Sequence, residues 1–223
     1  MNFTFKTLSA LSLCAVLAAP TFADDAPSTM SVGLTAGSLG IGPEIGYRFG
    51  PHFGLRAEFG AYSYGTDNDY GSVRYNVDLK LSNGGAMADW YPFGGGFRLS
   101  GGLRSNGNRL DLKGTPTTSV QIGPTTYTPA QIGTLTGEIS GSSSAPVLSL
   151  GYGGTLKKGL TAGAEVGAMF QGSPTVKNLT ATGLLAQNPQ FQTDLLAEAK
   201  KIESDASSFK VWPILQLHLV YRF

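Results

Sequence analysis

Apolar and polar residues alternate with a period of two along most of the chain. Read backward from the C-terminus, Phe223, Tyr221, Leu219, Leu217, Leu215, Pro213, Val211 and Phe209 fall on one face. Arg222, Val220, His218, Gln216, Ile214, Trp212 and Lys210 fall on the other. Successive side chains of a strand point to opposite sides of its sheet, so this segment is a strand with one apolar, aromatic face and one mixed polar face. The pattern recurs where Phe53, Leu55, Ala57 and Phe59 alternate with Gly54, Arg56, Glu58 and Gly60. It recurs again where Leu160, Ala162, Ala164 and Val166 alternate with Thr161, Gly163, Glu165 and Gly167. Shorter runs with the same alternation begin at Val32, Ile41, Phe97 and Leu148. Between Ser72 and Tyr91 the parity changes, from Val77, Leu79 and Leu81 to Ala86, Ala88 and Trp90, which predicts a bulge near Asn83-Gly84-Gly85. The total is eight strands.

The connections have a second regularity. Gly50-Pro51-His52, the run from Pro92 to Gly96, and Lys157-Lys158-Gly159 read as tight turns after the second, fourth and sixth strands. The other connections are mostly longer. Residues 65–71 are acidic and polar. Residues 114–145 are rich in Gly, Ser, Thr and Pro, with room for a short hairpin. Residues 175–207 contain a predicted helix, capped by Asn188, with Pro189 in its first position and Phe191, Leu195, Ala199 and Ile202 on one stripe. Short turns at one end and long loops at the other, joining strands with one apolar face, describe an all-β, eight-stranded antiparallel transmembrane β-barrel with long extracellular loops, one of them containing a short helix. Closure is required because backbone groups in lipid must all be paired internally.

Residues 1–23 read as a cleaved export signal: Lys6, then an apolar run too short to span a bilayer as a helix, then Thr21-Phe22-Ala23. A short tail, 24–29, precedes the barrel, 30–223. The 223-residue chain has 14% charged residues and 31 glycines, few charges and many glycines for a soluble domain. A net charge of +1 excludes a strongly basic nucleic-acid binder. The one cysteine, Cys14, lies in the signal, so no cysteine-ligated metal site is expected. A soluble lipocalin-like carrier would need the reverse arrangement, apolar inside and polar outside.

Counting inward from the tight turns puts Arg48, Arg98 and Arg222 about one residue in. Glu44, Glu58, Glu165 and His218 lie about five residues in, roughly 13 Å up tilted strands and near mid-membrane. Arg56 and Arg104 flank that layer, with Asp89 near its lower end. The prediction is an arginine ring at the periplasmic mouth below a carboxylate layer. The expected function is a narrow channel whose glutamates attract small polar or cationic solutes; the alternative is a closed structural or surface-interaction barrel whose interior is an ion-paired plug without transport. Glycines on the inner face would leave space for the channel. His218 has Glu165 and Glu58 as expected partners, and His52 is a turn residue. No nucleophile motif, catalytic residue, metal site or cofactor is expected. Trp90, Trp212, Tyr47, Tyr91 and Tyr221 read as interfacial aromatics.

The run PVLSLGYGGTLKKGLTAGAEVGAMFQGSPTVKNLT, the helix around Ala197 to Asp205, and FKVWPILQLHLVYRF together resemble the carbapenem-associated outer-membrane protein family, the CarO-like porins, as does the early run SVGLTAGSLGIGPEIGYRFGPHFGLRAEFGAY. The resemblance implies an eight-stranded outer-membrane barrel of a Gram-negative bacterium with bulky loops and uptake of basic amino acids. Residues 114–145 depart from the family in sequence. The terminal Phe223 resembles the signal read by the barrel-assembly machinery. Expected partners are therefore outer-membrane lipid, that machinery with periplasmic chaperones, and small solutes, and not nucleic acid.

Overall fold

The structure, a computed structural model, describes residues 29–70 and 73–223. The expected export signal lies outside the described residues. Fifteen elements follow in order: β1 (Met30–Gly37), β2 (Gly40–Arg48), β3 (Phe53–Tyr70), β4 (Val73–Trp90), β5 (Phe97–Asn106), β6 (Arg109–Pro116), β7 (Val120–Ile122), β8 (Thr125–Tyr127), α1 (Pro129–Ile132), β9 (Leu135–Ser140), β10 (Ser144–Tyr152), β11 (Gly159–Phe170), β12 (Thr175–Ala181), α2 (Pro189–Ala206) and β13 (Val211–Arg222).

Eight strands close a ring, β1–β2–β3–β4–β5–β10–β11–β13 and back to β1, with every neighbour antiparallel. The outward positions are the apolar ones that the alternation predicts. Leu34, Leu103 and Leu215 expose 59%, 66% and 61% of their surface. An exposed belt of that kind around a closed cylinder is solvated by lipid. Aromatic residues crowd the tight-turn end: Tyr47 lies 5.9 Å from Phe49, and Tyr221 lies 5.3 Å from Phe223. One expected interfacial aromatic turns inward instead: Tyr91 is buried beneath a guanidinium. Trp212, on the inner face by alternation, packs on an apolar cluster inside the barrel at the opposite end of β13.

The wall does not end with the membrane. The pairing of β4 with β5, Asn83↔Asn106, runs on in the same register to Lys80↔Arg109 in β6. Ser105↔Ser144 between β5 and β10 likewise continues as Arg109↔Ser140 between β6 and β9. β12 prolongs β11 after an interruption at 171–174, across which the outward positions change from even to odd. The wall formed by β3, β4 and β5 and by β10 and β11 therefore continues upward as an extracellular half-cylinder, ordered β3-β4-β6-β9-β12. Residues 65–70 of the segment expected as a loop belong to β3 of this long β3–β4 hairpin.

The expected bulge is absent. Register between β3 and β4 is unbroken from Phe53↔Trp90 to Tyr70↔Val73. What changes is the surroundings of each face. Below Ser82, outward residues Ala86, Ala88 and Trp90 meet lipid while inward Asn83 and Asp89 are buried; above it, outward Lys80, Asp78 and Asn76 meet water while Val77 and Leu79 face in. The apolar inner face (Val77, Leu79, Leu110, Leu112, Ile139) leads to an extracellular core. There Leu135 and Ala181 pack with Ile122, Tyr127, Ile132, Phe191 and Leu195 from the β7–β8 hairpin, α1 and α2. Helix α2 begins as expected, with the Asn188 side chain accepting from the amides of Gln190 and Phe191 and Pro189 in its first turn.

Glycine on the inner face serves strand approach rather than open space. A Cβ at Gly42 would lie 2.0 Å from the Phe59 carbonyl oxygen, and one at Gly102 would lie 2.1 Å from that of Ala86. Eight strands coil tightly enough to bring neighbouring backbones over these positions.

Leu103 of β5 and Thr115 of β6 occupy the same outward face of the wall, on opposite sides of the polarity change. Leu103→Arg is expected to cost about 2–4 kcal/mol, as for a cation near the bilayer midplane. Thr115→Arg is expected to change stability by no more than about 0.5 kcal/mol, as for an exposed surface position. Urea unfolding in lipid vesicles measures both.

Candidate functional site

Three tiers fill the interior. The lowest is a collar built by Arg48. Its Nε donates to the Gly50 carbonyl (3.3 Å), its Nη1 to those of Gly95 (3.1 Å) and Gly154 (2.7 Å), and its Nη2 to those of Pro51 (2.5 Å) and Gly94 (2.9 Å). A guanidinium has five N–H donors, and all are used on carbonyls of the three tight turns. The guanidinium carbon also sits 3.6 Å above the centre of the Tyr91 ring, a cation–π contact. Gly94 and Gly154 adopt φ of +68° and +72°, which lets these turns direct their carbonyls at the arginine. Arg222 completes the collar, donating to the Thr29 carbonyl and the Ser31 hydroxyl, each at 3.4 Å.

The middle tier is an ion network centred on Arg56. Its guanidinium contacts Glu58, Glu165 (2.7 Å), Asp89 (3.2 Å) and Glu44 (3.8 Å). Arg98 reaches up from its position near the mouth to share Glu165 at 2.7 Å, so it belongs to this tier as much as to the collar. Arg104 binds Glu58 at 2.7 Å and the Asn83 amide oxygen at 2.8 Å. His218 lies 2.5 Å from Glu44 and 3.5 Å from Glu165; its expected partner Glu58 is taken by the two arginines instead. Ser149 donates to Glu165 and Ser100 to Asp89. Every one of these charged groups is at least nine-tenths buried. Four carboxylates thus face three guanidiniums and one imidazole.

The upper tier is apolar. Met87, Ala145, Val147, Met169 and Ile214 point inward and meet Leu39 from the β1–β2 turn, each no more than 1% exposed, with Trp212 packed against them. Alternation already places Met169 and Ile214 on the inner face, beside Gln171 and Gln216 respectively. Leu39 lies in a turn, and no periodicity assigns it a direction.

Between the collar and the ion network lies a cavity of about 20 Å³, lined by Glu44, Arg48, Arg56, Asp89, Arg98 and His218 among others. That is room for one water molecule. Glu44, Glu58 and His218 bring one donor atom each within 4.8 Å of one another. Arg56 already binds both carboxylates, so the cation these groups hold is a guanidinium.

Outside the membrane, Asp194 of α2 accepts from the Tyr127 hydroxyl at 2.6 Å, and both are buried in the extracellular core. That bond, with one from Gln190, holds the Asp194 carboxyl below the ordinary aspartate range. His52 stays in its turn, with Nδ1 2.9 Å from the Tyr91 carbonyl oxygen.

Arg56→Met leaves Glu58, Asp89 and Glu165 buried with less positive charge, and a loss of about 3–5 kcal/mol is expected in urea unfolding, with Arg56→Lys losing less. The Asp194 contribution is complete above the unfolded aspartate value of about 3.9 and is lost as pH falls through its lowered value in the folded chain. The helical circular dichroism signal of α2 should therefore melt earlier at pH near 3 than at pH near 5. Asp194→Asn should remove most of that difference.

No protein-family model matches the chain, and no curated protein sequence matches it. Among solved structures, the crystal structure of Acinetobacter baumannii CarO2 is similar at 19% identity with a TM-score of 0.58, covering 89% of this chain and 100% of that one. The crystal structure of Acinetobacter baumannii CarO is similar at 21% identity with a TM-score of 0.55, covering 89% of this chain and 98% of that one. Nearly the whole of each CarO barrel is matched, and this chain has the CarO fold.

Proposed function

We propose that this protein is an outer-membrane β-barrel whose interior is a closed, ion-paired plug and whose extracellular half-cylinder is its working surface. The observation that carries the reading is the filling of the interior. The Arg48 collar, the Arg56 network and the apolar cluster of Met87, Val147, Met169 and Ile214 are packed into the interior with their side chains almost wholly buried, and the cavity between collar and network holds about 20 Å³. Glu44, Glu58 and Glu165 are each bound by arginine or histidine, so their charge is spent within the wall. The export signal in the sequence, the lipid-facing belt and the CarO fold all support placement in the outer membrane of a Gram-negative cell. The exposed Phe223, whose amide donates to the Met30 carbonyl, supports recognition of the chain's end by the assembly machinery in this reading.

The competing reading is a narrow channel for small polar or cationic solutes, basic amino acids among them. It requires both the collar and the apolar tier to move aside. Purified protein in planar bilayers is expected to show no conductance steps, and proteoliposomes no uptake of lysine or ornithine. Steady, cation-selective conductance that disappears when Glu44, Glu58 and Glu165 are all changed to glutamine would reverse the assignment in favour of the channel.

A further inference from the structure

We propose that the outward face of the extracellular sheet is a docking shelf for the phosphorylated saccharide headgroup of the outer-leaflet glycolipid beside the barrel. The inference rests on the outer-membrane placement above and adds a ligand to it.

The shelf continues the lipid-facing surface without a break. Along β5 and β6 the outward positions are Leu99, Leu103 and Ser105, then Arg109, Asp111, Lys113 and Thr115. Arg109 is six residues beyond Leu103, roughly 15 Å higher for strands tilted about 40°. Acyl chains solvate Leu103, so the layer reached at Arg109 is the headgroup of the same lipids.

Chemistry changes at that height in the sense a headgroup requires. Lys80 and Arg109 are directly opposed across β4 and β6, and like charges so placed are unfavourable unless an anion lies between them. Asp111 serves both, at 2.8 Å from Lys80 and 3.3 Å from Arg109, and leaves the row with positive charge in excess. All three side chains are partly exposed. A lipid phosphate at this level meets two cations at once.

Higher on the same face the groups suit a sugar. Asp78, Asp111 and Glu138 form a cross-strand row of hydroxyl acceptors. Above it, Asp67, Arg74, Asn76, Lys113 and Thr115 frame an open cleft of about 310 Å³. That volume is at the small end of ligand sites and suits one or two sugar rings. Its two cations favour an acidic sugar, and its amide, hydroxyl and carboxylate supply donors and acceptors for hydroxyls. The tiers run in the order of the ligand: apolar belt for acyl chains, Lys80 and Arg109 for phosphate, the cleft for saccharide.

The full chain, reconstituted in nanodiscs, tests this with four lipids: purified lipopolysaccharide, two comparison lipids (the same lipid enzymatically dephosphorylated, and phosphatidylglycerol), and lipopolysaccharide trimmed to its acylated disaccharide. Native mass spectrometry counts lipid retained by the protein. Lipopolysaccharide is expected to be retained at least about tenfold better than either comparison lipid. Lys80→Gln with Arg109→Gln should remove about tenfold of that preference, and Arg74→Gln with Lys113→Gln should remove the advantage of a long saccharide over lipopolysaccharide trimmed to its acylated disaccharide. Lys157→Gln with Lys158→Gln, at the opposite end of the barrel, should change neither. Equal retention of the dephosphorylated lipid, full competition by millimolar inorganic phosphate, or an unaffected Lys80/Arg109 variant would overturn the shelf. Insertion is scored separately by protease protection of the strands. A chain that inserts but shows no lipopolysaccharide preference refutes the shelf alone, whereas a chain that does not insert refutes the membrane placement and the shelf with it.

Discussion

Hydrocarbon supplies no hydrogen-bond partners, so a sheet that enters it must close on itself. In this protein that constraint is met with eight strands, the last pairing with the first from Ser31↔Arg222 to Gly37↔Gln216. An eight-stranded cylinder has an interior only as wide as its own side chains. Whatever the inward positions carry must then fit there and be neutralised by its neighbours. Arg56 among four carboxylates is the consequence, and so is Arg48, whose five donors all end on backbone carbonyls.

Burying ions is costly, and an isolated charge at mid-membrane would cost more than a pair recovers. Sharing lowers that cost. Glu165 is held by Arg56 and Arg98 together with the Ser149 hydroxyl, and Glu58 by Arg56 and Arg104. Each group is oriented by more than one partner, so the network specifies a single arrangement of the inner wall. The apolar cluster of Met87, Val147, Met169 and Ile214 is held by packing instead of charge.

The same strands then leave the membrane, and their two faces exchange roles. Outward positions that meet lipid at Ala86 meet water at Asp78; inward positions that hold ions at Asp89 become apolar at Val77. An apolar inner face above the bilayer has to be covered, and α2 with the β7–β8 hairpin supplies the core that starts this. The Tyr127 edge packs at 4.8 Å on Phe191 while its hydroxyl binds Asp194, joining two segments far apart in the chain. The outward face keeps a pattern of charge suited to the headgroups at its own height.

Period-two alternation determined the eight strands and their inward and outward faces, Gly and Pro signals the tight turns, and the Asn188 cap with Pro189 and a helical stripe the helix, because each depends only on near neighbours in the chain and on the medium each face meets. It also placed Glu44, Glu58, Glu165, His218 and the arginines on one inner wall. It could not distinguish a bulge from a change of medium in β4, because both shift the apolar parity. Which carboxylate binds which arginine, the inward turn of Tyr91, the seat of Leu39, and the absence of open space beside the inner glycines were decided only in three dimensions. These depend on how far neighbouring strands shift along one another and how tightly the cylinder coils, and those distances between remote segments leave no local pattern to read.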